Sequence, residues 1–362
     1  MAEPRTGLSD ALIQGPTWFL ARGSPGLGRL METISLAEIV SEAQRSPRLW
    51  MATSSAAVPL AQRLSRWRVG SLDIGGGPDL QQALIDSEPV QRLLERIRRH
   101  HPAAIVVDGY QILLPILRQF SDARLVALAN LHDLRNPAHS LGARLLQEAL
   151  HLSADLIVIG ELRRGWVRGR LQQVPVLRIP ALVRPGALRS RGTLGPTPYV
   201  AVLGGGSRGD HRLAESTRAI LEALDGAVAA HSLPSCTVYA GGAVDLEPDR
   251  YPNLGLSDPA KGLSALTSAR LVVARAGRST LAEILASQRA AVVIAAESDT
   301  LRGAEQVANA AAAAAISPAV VPIGIGDLGE LGARCRQALS VNSRPWRSGN
   351  SSWWMALKAM GV

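Results

Sequence analysis

Twice along this chain a short apolar run ends in a glycine-rich turn that opens into a segment of helical period. The first copy is Thr17–Ala21, then Arg22-Gly23-Ser24-Pro25-Gly26-Leu27-Gly28-Arg29, then a helix over about 30–42. The second is Tyr199–Leu203, then Gly204-Gly205-Gly206-Ser207-Arg208-Gly209, then a helix over 211–224 with Leu213, Ile220, Leu221 and Leu224 on its apolar face. A strand that runs straight into a helix must return by a crossover, so each copy predicts a parallel sheet covered by helices. Further strands are expected at Leu49–Thr53, 104–107, 125–129, 156–159 and 174–179, and, after the second copy, at Cys236–Ala240, 271–274, 291–295 and 319–323. Between the halves, 183–198 carries Pro185, Gly186, Gly192, Gly195, Pro196 and Pro198 without an apolar period, which marks a linker.

The fold class is therefore α/β, with two Rossmann-like domains facing each other across a cleft. Their expected extents are 1–186 and 197–345. The tail 346–362, with Trp353, Trp354, Leu357 and Met360, reads as an amphipathic helix that packs back on the first domain. Ligands of such sheets sit beyond the carboxyl ends of the strands, so the cleft is the expected site.

Composition narrows the partners. The 362 residues suit two domains, and 47% hydrophobic with 4% aromatic content means cores of Leu, Val, Ile and Ala. A net charge of +9, from 39 Lys and Arg against 30 Asp and Glu, points to an anionic partner. Cys236 and Cys335 have no His or Cys at metal spacing, so neither a disulfide framework nor a zinc site is indicated. The beginning of the chain lacks the basic and apolar regions of an export signal, and a cytoplasmic location is expected. The weakly polar stretch 307–326 is broken by Asn309, Ser317, Pro318 and Pro322, so it reads as a helix, a turn and a strand rather than a membrane span.

The run Arg275-Ala276-Gly277-Arg278-Ser279-Thr280-Leu281-Ala282-Glu283 carries the chemistry. It follows a strand and opens a helix, whose unpaired N–H groups favour a phosphate; Gly277 permits close approach, and Ser279 and Thr280 add hydroxyls beside two arginines. Glu283, one turn on, can accept hydrogen bonds from a ribose diol. The alternative is a capping box, in which Thr280 and Glu283 only close the helix end.

Four features now stand in order: Gly26-Leu27-Gly28, the loop Gly204 to Gly209, the run Arg275 to Glu283, and Glu305-Gln306-Val307-Ala308-Asn309-Ala310. Together they resemble the family 28 glycosyltransferases of GT-B fold, most strongly over 199–323. The resemblance implies that Gly205, Gly206, Ser207, Arg208 and Gly209 meet the nucleotide diphosphate, with Gly26, Gly28 and Arg29 across the cleft. It further implies that Arg275, Gly277, Arg278, Ser279 and Thr280 hold phosphates and Glu283 the ribose. Glu305, Gln306 and Asn309 would face the donor sugar, and backbone near Leu256 the base. The co-substrate is then a nucleoside diphosphate sugar, with UDP the expected nucleotide and no cofactor or metal. No Asp-x-Asp triad occurs in the chain. The reaction implied is inverting transfer of a hexose or N-acetylhexosamine to a hydroxyl or amine of a small-molecule or lipid-linked acceptor.

One position departs from the family. Its first glycine loop usually ends Gly-His, whereas this chain has Gly28-Arg29. An arginine stays protonated and takes no proton from an acceptor, although it can bind the departing diphosphate. The candidate bases are instead Asp108, after the strand 104–107, and His132 and Asp133, after the strand 125–129. The segment 131–137 is similar to an Arg-Asp segment of actinomycete glycosyltransferases that act in secondary metabolism, and Asp133 alternatively caps the next helix. His100 and His101 read as solvent-facing at a helix end. Alternative functions on the same residues are a nucleotide-sugar hydrolase or epimerase, or a non-catalytic nucleotide-sugar binder. Nucleic acid is not an expected partner, because Arg163, Arg164, Arg168 and Arg170 have only Trp166 among them for stacking. That cluster reads as an exposed helix, or as a peripheral contact with the inner face of a membrane.

Overall fold

The structure is a computed structural model that describes residues 7–23, 28–74, 85–129, 149–150, 152–189, 199–203, 211–240, 248–258, 261–295 and 301–360. The first domain runs α1 (Leu8–Gln14), β1 (Thr17–Ala21), α2 (Gly28–Ala43), β2 (Leu49–Thr53), α3 (Val58–Leu64), β3 (Arg68–Ser71), α4 (Glu88–His100) and β4 (Ala104–Asp108). It continues with α5 (Leu114–Phe120), β5 (Arg124–Leu128), β6 (Leu156–Glu161), β7 (Val167–Leu171) and β8 (Val174–Pro180). Its sheet has the order β3-β2-β1-β4-β5-β6-β8-β7, and every pair is parallel except the β7–β8 hairpin.

The second domain follows a short helix, α6 (Pro185–Arg189), and comprises β9 (Tyr199–Leu203), α7 (His211–Ala229), β10 (Cys236–Ala240), β11 (Leu254–Leu256), α8 (Gly262–Ser268) and β12 (Leu271–Arg275). Then come α9 (Arg278–Ser287), β13 (Ala290–Ala295), α10 (Leu301–Ile316), β14 (Val320–Gly324), α11 (Leu331–Leu339) and the last helix, α12 (Asn350–Met360). All pairs in the sheet β11-β10-β9-β12-β13-β14 are parallel.

Each sheet reverses its direction of growth once, between β1 and β4 in the first domain and between β9 and β12 in the second. Those reversals leave a crevice at the strand carboxyl ends. The first strand of each repeated unit, β1 and β9, lies at such a reversal, beside β4 and β12 respectively.

The expected central strands all form, within a residue or two of their expected bounds. Three strands lacked a sequence signal: β3, β7 and β11, all edge strands or members of an edge hairpin. An edge strand buries at most part of its surface, so Arg-Val-Gly-Ser, Val-Arg-Gly-Arg-Leu and Leu-Gly-Leu carry no apolar run. The arginine cluster is corrected here: 167–171 is the outer strand of a hairpin and not an exposed helix. Arg168 and Arg170 face solvent there, while Trp166 is half-buried against the first domain's core. Among the described residues no helix is long and apolar enough to cross a membrane.

Helix α2 differs from an ordinary surface helix. Residues 32–37 are buried without interruption, including Glu32, Thr33 and Ser35. It packs on the first sheet and on α1 and α3 of its own domain, on the connector helix α6, and on α9 of the second domain. A helix buried all round is here the signature of a domain junction.

The tail crosses back to the first domain at the connector after β8. Gly349 N–H donates to the Ala181 carbonyl at 3.1 Å, and the Asn350 side chain both accepts from Val183 N–H at 3.0 Å and donates to the Val183 carbonyl at 2.6 Å. A Cβ on Gly349 would lie 2.1 Å from the Pro180 carbonyl oxygen, so only glycine allows this approach. Beyond it Trp353, Ala356 and Leu357 enter the apolar cluster of Leu8, Leu12 and the first sheet. Trp353 is fully buried, so Trp353→Ala is expected to destabilise the chain by about 3–5 kcal/mol in urea denaturation.

Candidate functional site

On the second-domain side the site starts from β12, which is buried along its whole length. The chain leaves it through Ala276 and enters α9 with Gly277 as the N-cap, in an extended conformation (φ −74°, ψ 133°) and without a side-chain cap. The first intrahelical bond runs from Leu281 N–H to the Gly277 carbonyl at 3.0 Å. Thr280 is therefore already helical, and Glu283 lies on the next turn. This corrects the capping-box alternative, because the capping position belongs to a glycine that has no side-chain oxygen to offer. The N–H groups of Arg278, Ser279 and Thr280 point from a helix start with partial positive charge. Among the described residues, a Cβ on Gly277 would meet nothing within 4 Å.

The arginines of the run take different partners. Arg275 is 8% exposed and donates from Nη2 to Ser216 Oγ at 2.9 Å and Thr217 Oγ1 at 2.6 Å. It braces α7, the helix that follows the second glycine loop. Arg278 reaches into the first domain, where Nη1 donates to the Gly160 carbonyl at 2.9 Å and Nη2 to the Glu32 carboxylate. Ser279 Oγ donates to the Gly28 carbonyl at 3.2 Å. Two successive residues of the run thus bind the opposite domain.

Across the cleft, Arg29 and Asp108 form a pair. Arg29 Nη1 donates to Asp108 Oδ1 at 2.9 Å, and Thr33 Oγ1 donates to Oδ2 at 3.3 Å. Asp108 is 1% exposed, and burial pushes its carboxyl up to about 7 against the opposing pull of the Arg29 guanidinium. Gly109, at φ +80°, makes the pairing possible: a Cβ there would stand 2.6 Å from Arg22 Cβ and 2.9 Å from Arg29 Cδ.

Glu283 is also buried, at 4% exposure. Arg184 Nε lies 3.5 Å from its Oε1, an ion pair too long for a good hydrogen bond, and Oε2 has no partner among the described residues. Burial raises this carboxyl to about 7, again against a neighbouring arginine.

Helix α10 places Glu305, Gln306 and Asn309 at half-buried positions. Asn309 Nδ2 donates to the Ala276 carbonyl at 3.4 Å, which ties α10 to the backbone just before Gly277. Leu256 is the half-buried last residue of β11. Gly26, Gly205, Gly206, Ser207, Arg208, Gly209, His132 and Asp133 lie outside the described residues. Glu32, Thr33 and Arg184 emerge only from the structure. Glu32 and Thr33 carried no signal that set them apart from the other polar residues of that helix, Arg29, Ser35, Glu38, Ser41 and Glu42, and Arg184 fell in a segment that reads only as a linker.

Comparison with known proteins agrees with this architecture. The model of the glycosyltransferase family 28 C-terminal domain matches residues 260–324, which contain β12, α9 and α10. The solved structure of the spinosyn forosaminyltransferase SpnP superposes with a TM-score of 0.55 at 14% identity, covering 96% of each chain. The spinosyn rhamnosyltransferase SpnG in complex with thymidine diphosphate matches at 0.50 and 14% identity over 95% of each chain. SnogD from Streptomyces nogalater matches at 0.50 and 15% identity over 95% of this chain and 99% of its own. No curated protein matches the chain in sequence. The resemblance to family 28 glycosyltransferases and the GT-B fold, two parallel-sheet α/β domains, are thus established for this chain.

Two buried carboxyls with raised proton affinity make stability depend on pH. Their unfolded values are near 3.8 and 4.5, so between about pH 5 and 7 the folded chain holds protons that the unfolded chain has released. Stability is therefore greatest at the acidic end of that window and falls as pH rises, by at most about 1.4 kcal/mol per pH unit for each group. Urea titrations across the window should show that slope, and Asp108→Asn and Glu283→Gln should each reduce it.

Proposed function

We propose that this chain is a metal-independent, inverting glycosyltransferase that moves a hexose or N-acetylhexosamine from a nucleoside diphosphate, UDP in the first instance, to a hydroxyl or amine acceptor. The observation that carries the reading is the start of α9, without a side-chain cap, on the far side of the cleft from the Arg29–Asp108 pair, with the Glu283 carboxylate, one oxygen of which has no partner among the described residues, one turn behind it. The family match over 260–324 supports the donor half of this assignment.

The chemistry follows from charge. As the bond between the anomeric carbon and the diphosphate breaks, its electron pair stays on the leaving phosphate oxygen. The N–H groups of Arg278, Ser279 and Thr280 and the α9 dipole stabilise that charge. Glu283 accepts from the ribose hydroxyls, and Glu305 and Gln306 face the sugar. The acceptor, a small molecule or a lipid-linked one, attacks from the first-domain side and inverts the anomeric centre. Its proton passes to a base. Asp108 is the base this geometry favours, since it stands at the carboxyl end of β4 with a proton affinity near neutrality. Its burial means that an acceptor must displace the Thr33 hydroxyl to reach Oδ2.

Thermal melts with UDP, UDP-N-acetylglucosamine and dTDP-sugars test the donor site. A ligand at about 100 times its dissociation constant adds roughly 2.7 kcal/mol of stability, and failure of all three classes would sink the reading. Glu283→Gln should abolish that gain while leaving the ligand-free melt unchanged or higher, because the variant removes a poorly paired buried charge. Under turnover, the acidic limb of the kcat/KM profile should lie near pH 7 and vanish in Asp108→Asn together with at least about a hundredfold of rate. Nucleotide binding without turnover across a broad acceptor panel would favour a non-catalytic binder, the reading that Arg29 in place of a histidine favours. Sugar release or isomerisation from donor alone would favour a hydrolase or an epimerase.

A further inference from the structure

The ion pair of Arg278 with Glu32 bridges the cleft and is deeply buried, and the residue on its first-domain side, Glu32, has no role in the chemistry above. Glu32 is 6% exposed. One carboxylate oxygen takes the Arg278 Nη2 donation, and the other occupies space over Gly160 that a Cβ would enter to within 2.3 Å. Arg278 spends its second donor, Nη1, on the Gly160 carbonyl. The carboxylate, the guanidinium and a side-chain-free backbone thus form a closed fit at the end of β6. A further ion pair between the domains, Arg63 with Asp258, is 61% and 41% exposed and adds little rigidity.

Helix α2 gives this fit a consequence. Arg29, Glu32 and Thr33 lie within about one turn of each other on a buried helix. Arg29 and Thr33 hold Asp108, while Glu32 holds Arg278, the first residue of α9. One rigid turn therefore carries the ligands of both halves of the site.

We propose that Glu32 is a positioning residue: through Arg278 it fixes the start of α9 against α2 and so sets the distance between the donor diphosphate and the Arg29–Asp108 pair. This rests on the glycosyltransferase reading. Loss of the contact lets the two halves shift relative to each other, and a displacement of about 1 Å at a reacting centre costs on the order of a hundredfold in rate.

The test uses the full chain with Glu32→Ala, the volume-conserving Glu32→Gln, Arg278→Ala and the Glu32→Ala/Arg278→Ala double variant, with Arg334→Ala as a surface control. Nucleotide affinity is measured by calorimetry with UDP and dTDP, and steady-state kinetics with whichever UDP- or dTDP-sugar the wild type turns over. Glu32→Ala is expected to lower kcat about 10–100-fold with donor KM within about threefold of wild type, and Glu32→Gln, which keeps an acceptor for Arg278, to recover part of the loss. The double variant should be no slower than the slower single one, since both remove one contact. A spin-label distance between the domains should broaden in Glu32→Ala and not in Arg334→Ala. Additive losses, a raised KM with unchanged kcat, or Glu32 variants indistinguishable from wild type would overturn the positioning role alone. A wild-type chain that binds no nucleotide would overturn the glycosyltransferase reading and the positioning role with it.

Discussion

Burying charge is costly unless each charge finds a partner, and this protein buries three carboxylates where its two sheets meet: Glu32, Asp108 and Glu283. Each faces an arginine, respectively Arg278, Arg29 and Arg184. Two of those arginines, Arg278 and Arg184, come from a different domain or from the connector between domains, so those two pairs exist only when both halves are docked. The cleft is thus held by interactions that also set its electrostatics. Burial favours the neutral form of Asp108 and Glu283, and the paired arginines favour the charged form, which leaves both groups close to balance near neutral pH.

Helix α2 is the structural expression of that constraint. It follows β1 at the point where the first sheet reverses, as α9 follows β12 next to the reversal of the second. Packing one against the other brings the start of α9 within hydrogen-bond reach of the start of α2, through Ser279 and Gly28. The tail helix α12 adds to this by crossing from the second domain to the first through Gly349 and Asn350. The connector is therefore clamped on two sides, by the tail at Ala181 and Val183 and by Glu283 at Arg184.

Legibility in the sequence tracked burial. Central strands such as β1, β4, β12 and β13 are covered on both faces and read as apolar runs. The edge strands β3 and β11 are short and partly exposed, and β7 was hidden among arginines. The run from Arg275 to Glu283 was recognisable as a strand, turn and helix, yet whether Thr280 and Glu283 form a capping box turned on one fact that spacing does not contain: which residue is the last non-helical one. That residue is Gly277, and with it the capping box disappears.

The amino-acid order alone determined the two strand–turn–helix units, the parallel sheets they nucleate and the family resemblance of the second domain, because these rest on local period and on motifs of adjacent residues. Tertiary structure decided the partners. Arg29 and Asp108 are separated by 79 positions, Glu32 and Arg278 by 246. Three arginines beside the turns took three roles, Arg275 bracing a helix, Arg278 bridging domains and Arg29 holding a carboxylate. Charge type is written in the sequence, but which opposite charge lies within 3 Å after both sheets are packed is a property of the packed chain.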